Sequence, residues 1–245
     1  MSVTKIKKGI HLHQFTAIRQ DDFVHYDLFI LGSVLCPLFR ADQRAPDLIE
    51  ICNNLRASHG SKKIYIQQPY YLSGNCAQFI DLIKDLKRNQ LIDGLIINSP
   101  GILNCFENED LEFVFSRFTV HKRKRTNRYF SSLVAGHNIK AFECFADDHD
   151  LINDLRALNE YELWLREGAG KFFSFSSYCL IQHYLNRCLN EPARCASGAF
   201  SLKDSKQDLK FILSGHFMFT ATPTKMTNDS GNIASLICNA SGFEL

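Results

Sequence analysis

An α/β barrel of the TIM type is the fold this sequence predicts, and three observations predict it. Short apolar or β-branched runs alternate with segments of helical periodicity, and the alternation covers most of the chain. Such a rhythm favours parallel strands joined by crossover helices. At 245 residues the chain has the size of one α/β barrel. With about seven or eight strand candidates a barrel is expected ahead of a doubly wound sheet. No internal repeat, low-complexity tract or Pro/Gly-rich linker divides the chain, so residues 1–245 are expected to form a single domain.

The elements follow in order. "DLFILG" reads as a buried strand over Leu28 to Leu31, ending in a glycine turn. "APDLIEICNNLRASHG" then puts Leu48, Ile51, Cys52 and Leu55 at helical spacing, with Gly60 as the stop. "KKIYIQQP" is the next strand, ended by Pro69, and "NCAQFIDLIKDLKRN" sets Phe79, Ile80, Ile83 and Leu86 on one helix face. "DGLIINSPG" gives a third strand, while "NIKAFECF" and "YELWLREG" give two more. Between them "DDHDLINDLRALN" is a helix whose acidic start suits its dipole. "LKFILSGHFMF" reads as another strand, and "GNIASLICNASGFEL" as a final short helix or strand.

Composition narrows the function. Hydrophobic residues make up 45% of the chain and the net charge is only +2, so no general attraction to nucleic acid or acidic membranes is expected. No apolar run is long enough to span a bilayer, and the basic start "MSVTKIKKGIHLHQF" lacks the apolar core of a secretory signal. A soluble, cytoplasmic protein is expected. Its nine cysteines, an odd number, do not suggest a disulfide framework. Each is therefore an inert buried thiol, a reactive thiol or a metal ligand.

In a barrel, functional groups gather after the carboxyl ends of the strands. Cys36 follows the strand ending at Leu31, and Cys179, Cys188 and Cys195 follow the strand that begins at Tyr161. All four can then meet at one face, as an iron–sulfur cluster or a structural zinc would require. Cys52, on an apolar helix face, belongs to the core. Cys76, Cys105 and Cys144 also lie after strand candidates, and with no CxxC pair position alone does not choose among them.

Two segments, "ILGSVLCPLFRA" with Arg40 beyond Cys36 and "YELWLREGAGKFFSFSSYC", carry a resemblance, and "KFILSGHFMF" adds a weaker one. They resemble the collagenase-like peptidase family in its ubiquinone-biosynthesis branch, the UbiU/UbiV type, on the UbiV side. The resemblance implies a barrel-like fold and a 4Fe–4S cluster held by four cysteines. It also implies a role in oxygen-independent ring hydroxylation of a quinone precursor, within a heterodimer with a UbiU-like sister protein. Cys36 and Cys179 match two of the family's ligands and Cys195 a third. The family's remaining cysteines stand closer together than Cys188 and Cys195 do, so either Cys188 serves from a rearranged loop or the site is degraded. The family also continues through a last strand and helix, so the resemblance leads one to expect a barrel incomplete at the C-terminus, in a truncated or divergent member. A cluster-less binding partner, a peptidase or an RNA-hydroxylation relative are the alternatives.

Other features are weaker. "HKRKRTNR", His121 to Arg128, is a solvated loop or an RNA-binding surface, with no aromatic platform in the run. Proteolysis needs a thiol paired with a base such as His183 or His216, and no Cys/His signature is present. The absence of a GxxxxGK[ST] loop argues against an NTPase. Ser174, Ser176 and Ser177 either cap a loop or donate to cluster sulfurs. Glu143 and Glu162 lie in strands and are placed to face a barrel mouth, while Glu167 is a candidate lining residue beside the cysteine loop.

Overall fold

A computed structural model describes residues 7–12, 24–32, 45–69, 76–107, 109–117, 119, 136–145, 148–156, 161–166, 170–175, 179–187, 200–204, 209–214, 217–223 and 233–239. Eight parallel strands close a barrel. They are β1 (Lys7–Leu12), β2 (Leu28–Leu31), β3 (Lys63–Gln67), β4 (Gly94–Ile97), β5 (Glu112–Phe115), β6 (Ile139–Phe145), β7 (Glu162–Arg166) and the late strand β12 (Ile233–Asn239). The ring runs β1-β12-β7-β6-β5-β4-β3-β2. β12 pairs in parallel with both β1 and β7 and so completes it.

Around the ring lie α1 (Ala45–His59), α2 (Cys76–Arg88), a 3-10 helix (Pro100–Phe106) and α3 (His149–Arg156). The predicted helix faces are the ones that pack. Leu48, Cys52 and Leu55 of α1 are buried against the outer face of the ring, as are Phe79, Ile83 and Leu86 of α2 and Leu151, Ile152 and Leu155 of α3. Among the described residues no helix is long and apolar enough to cross a membrane.

One segment departs from its expected form. "LKFILSGHFMF" is two strands, β10 (Leu209–Ser214) and β11 (Phe217–Pro223), paired antiparallel to each other. With β8 (Gly170–Phe175) and β9 (Phe200–Asp204) they form a separate four-stranded sheet, ordered β8-β11-β10-β9, between β7 and β12. The final segment then supplies the eighth barrel strand. A run of alternating apolar residues cannot tell whether its partner is a barrel neighbour or its own continuation.

The inside of the ring is filled. Leu28, Ile30, Tyr65, Ile96, Val114, Ala141 and Trp164 form one buried cluster, alternating along their strands with residues that face the helices. The rings of Tyr65 and Trp164 meet edge to face at 4.9 Å and 87°. Gly94 makes this arrangement possible. A Cβ there would overlap the Tyr65 ring and the Glu112 carbonyl. The polar tips of both aromatics point to the amino-terminal end of the barrel, where the Tyr65 hydroxyl donates to Glu112 Oε2 (2.6 Å) and Trp164 Nε1 donates to Glu162 Oε2 (3.1 Å).

Those two carboxylates belong to a belt of alternating charge. Glu162 receives Lys7 at 3.3 Å and Lys140 at 3.0 Å, and Glu112 receives Lys63 at 3.0 Å. Lys63 also reaches Asp93, whose other oxygen takes Arg56 Nη2 at 2.6 Å. Arg56 of α1 further donates to the carbonyls of Lys62, Gln90 and Leu91, tying the helix to the turns before β3 and β4. Burial alone would raise the Glu162 carboxyl, but the Trp164 hydrogen bond and the Lys140 and Lys7 ammonium groups outweigh it and hold it below the usual range.

Two outcomes are expected. Gly94→Ala should lose about 1–3 kcal/mol or more of stability in urea melts, because the added methyl has no room beside Tyr65. The lowered Glu162 carboxyl stabilises the folded chain above the unfolded glutamate value of about 4.3, and that contribution is lost as pH falls through the folded value. Glu162→Gln should therefore flatten the acid side of the stability–pH curve while leaving its alkaline side in place.

Candidate functional site

The opposite end of the barrel differs in kind. There the apolar filling gives way to buried polar side chains: His11, Gln67, Gln68, Ser116, Arg117, Thr119 and Glu143 are all at most 5% exposed. They come from the carboxyl-terminal halves of β1, β3 and β6 and from the residues just past β3 and β5, which is where a barrel of this kind displays its chemistry.

Strand alternation sets their directions. Gln67 follows Tyr65 by two residues and so shares its inward face, and Glu143 follows Ala141 in the same way. Arg117, just beyond β5, turns back onto Glu143. Its Nη1 lies 3.0 Å from Glu143 Oε2, and its backbone N–H donates to the same oxygen at 3.2 Å. The guanidinium carbon also stands 5.3 Å from the centre of the Phe145 ring. Only 4% and 0% of the two charged side chains is exposed, so each has given up hydration for the other.

Beside this pair the exits of β3, β4 and β5 are stitched together. Gln68 Oε1 accepts from the backbone N–H groups of Asn98 (2.7 Å) and Ser99 (3.1 Å), and the Asn98 carboxamide donates to the Gln68 carbonyl. The Ser116 hydroxyl donates to Asn98 Oδ1, and Thr119 Oγ1 donates to the carbonyls of Asn98 (2.9 Å) and Ile97 (3.2 Å). On the β1–β2 side His11 Nε2 lies 2.7 Å from the Gly32 carbonyl. A carbonyl can only accept, so Nε2 carries the hydrogen. Gly32 has φ +108°, and a side chain there would crowd the Gln67 carbonyl 3.2 Å away.

The sequence-predicted residues fall elsewhere or remain apart. Cys36, Cys188 and Cys195 lie outside the described residues, as do Arg40, His121 to Arg128, Glu167, Ser176, Ser177 and His216. Cys179 is described, but it does not directly follow the barrel strand β7. The whole of β8, which includes Ser174, intervenes. Its half-buried thiol caps the short helix α4 (Leu180–Leu185), where Sγ accepts from the Gln182 backbone N–H at 3.4 Å. His183, one turn on, is exposed and donates its backbone N–H to the Cys179 carbonyl.

Cys52 is core, as expected, and burial pushes its thiol up to about 12. Cys144 lies within β6 rather than after it, and burial, aided by Asp148 and Glu143, raises its thiol as well. Cys76 opens α2 in solvent, and Cys105 is half-buried in the 3-10 helix. Among the described residues no three His, Cys, Asp or Glu side chains are grouped to hold a metal ion. Glu143 and Glu162 both face the barrel axis, but from opposite ends. Glu143 belongs to this polar mouth and Glu162 to the amino-terminal belt.

No family model matches the chain. No curated protein matches it significantly either. Similar solved structures include a protein of Aquifex aeolicus VF5 from a structural study, with 12% identity and a TM-score of 0.48 over 69% of this chain and 77% of that one. HPPK-DHPS of Plasmodium falciparum, solved with STZ-DHP, has 14% identity and a TM-score of 0.41 over 66% of this chain and 38% of its own length. At these values neither neighbour bears on what this chain binds.

Removing one member of the Arg117–Glu143 pair leaves the other charge buried. Arg117→Met and Glu143→Leu should each cost about 3–5 kcal/mol in chemical denaturation, and the double variant should recover much of that loss. Alkylation by iodoacetamide, followed by mass spectrometry, should mark Cys76 early and Cys52 and Cys144 only on unfolding.

Proposed function

We propose that the polar mouth at the carboxyl end of the barrel is the functional site and that it takes a small polar molecule. The observation that carries this reading is the asymmetry of the barrel filling. At the amino-terminal end the polar tips are neutralised by a charge belt, whereas at the other end buried amides, hydroxyls and an ion pair converge around the axis. Barrels place binding and catalysis at that end. Among the described residues of the mouth, the imidazole of His11 and the carboxylate of Glu143 are the side chains suited to acid–base chemistry. An NMR titration with small amides, phenols and carboxylates tests the site. Shifts should concentrate on residues 11, 67–68, 98, 116–119 and 143. Shifts confined to the charge belt or to the antiparallel sheet would overturn it.

The finer reading is a 4Fe–4S component of oxygen-independent ubiquinone biosynthesis, acting with a UbiU-like sister subunit on a quinone precursor. The state of Cys179 favours it. Unlike Cys52 and Cys144, this thiol is only half-buried, and it already accepts a backbone N–H of the kind that tunes cluster sulfurs. Cys36, Cys179, Cys188 and Cys195 would hold the cluster, which supplies electron transfer when bound. Iron and acid-labile sulfide are the readout, on protein purified without oxygen. About four irons per chain, lost in Cys179→Ala, are expected. Iron-free protein after anaerobic reconstitution would sink this reading and leave that of the mouth.

A further inference from the structure

Gln67 bonds on one side of its carboxamide only. Its carboxamide nitrogen faces two backbone carbonyls, Gln68 O at 3.4 Å and Ile96 O at 3.5 Å. Two acceptors on one side require the NH₂ to be there, so the oxygen must lie on the other side. That oxygen, Oε1, is buried in a residue only 1% exposed and takes no hydrogen bond among the described residues. Its neighbours are otherwise well served, since Gln68, Asn98, Ser116 and Thr119 use their side chains on one another and on the backbone. A buried acceptor without a donor is a standing cost that native folds rarely keep without use.

We infer that Gln67 is the specificity residue of the mouth and that its Oε1 accepts from a ligand. The ligand class is a small uncharged molecule that presents an N–H or O–H to the barrel axis. A methylated analogue of the same shape would be rejected, because it leaves the acceptor unpaired and meets it with a methyl group. This inference rests on the mouth being the site.

Matched probes test it: phenol against anisole, and 2-pyridone against N-methyl-2-pyridone, each titrated into the full chain and followed by NMR. The donor member of each pair should bind at the mouth at least tenfold more tightly than its methylated partner. Gln67→Met should abolish that preference. A second measurement separates binding from structure. If Oε1 is kept for a ligand, Gln67→Met removes an unpaired acceptor and should leave the thermal midpoint unchanged or raise it by about 2–4 °C. A structural glutamine would lower it.

Equal binding of both members at the mouth would overturn the role of Gln67 and leave the mouth standing. A lowered midpoint with the preference retained would overturn it too. No shifts at the mouth from any of the four probes would overturn both readings.

Discussion

A closed ring of parallel strands encloses a space that must be filled, and the edge-to-face contact of Tyr65 with Trp164 fills it here. Two large rings bring the most apolar area to the axis, but each carries a polar tip that would be costly if buried alone. The chain answers on the neighbouring strands. Glu112 takes the hydroxyl, Glu162 takes the indole N–H, and lysines on β1, β3 and β6 surround the carboxylates. Gly94, Asp93 and Arg56 make sense only in that context. The first makes room for the ring, and the other two link the belt to α1. One filling choice thus sets the composition of a whole end of the barrel.

The consequence for function is a division of labour along the axis. With the lower half closed and neutralised, the upper half can hold groups that are poor for stability. The Arg117–Glu143 pair is one example, since charges out of water recover at best a little more than their hydration. The unpaired Gln67 oxygen is another. Both rest on a floor that is already packed.

Much of the fold was legible because it follows hydrophobic period. The buried strand Leu28–Leu31 and the α2 face of Phe79, Ile83 and Leu86 appear as spacing alone predicts. β1 was hidden because Lys8 and His11 interrupt a run of only six residues, and β5 because four residues after an acidic turn carry little pattern. β10 and β11 were read as one strand since nothing in "FILSGHFMF" states which way the chain turns. The site was less legible still. Cysteines attract attention because they have few roles, whereas Gln67 is an ordinary strand end and Asn98 and Ser116 ordinary loop residues until register shows that they converge. Glu143 stood out as a carboxylate within an apolar strand, but its partner Arg117 lies 26 positions earlier and no local pattern connects them.

The insertion of an antiparallel sheet before the last strand also governs how the chain is made. On the ribosome β1 through β7 emerge first, as an open crescent whose two edges both await the same partner. Exposed edges of this kind invite pairing with other chains. The four inserted strands pair antiparallel, and β10 with β11 is a local hairpin that can form while the crescent waits. Only when β12 has been synthesised can it slide between β1 and β7 and seal the ring. The nascent protein therefore passes through a long stretch of translation in which a chaperone has an edge to guard.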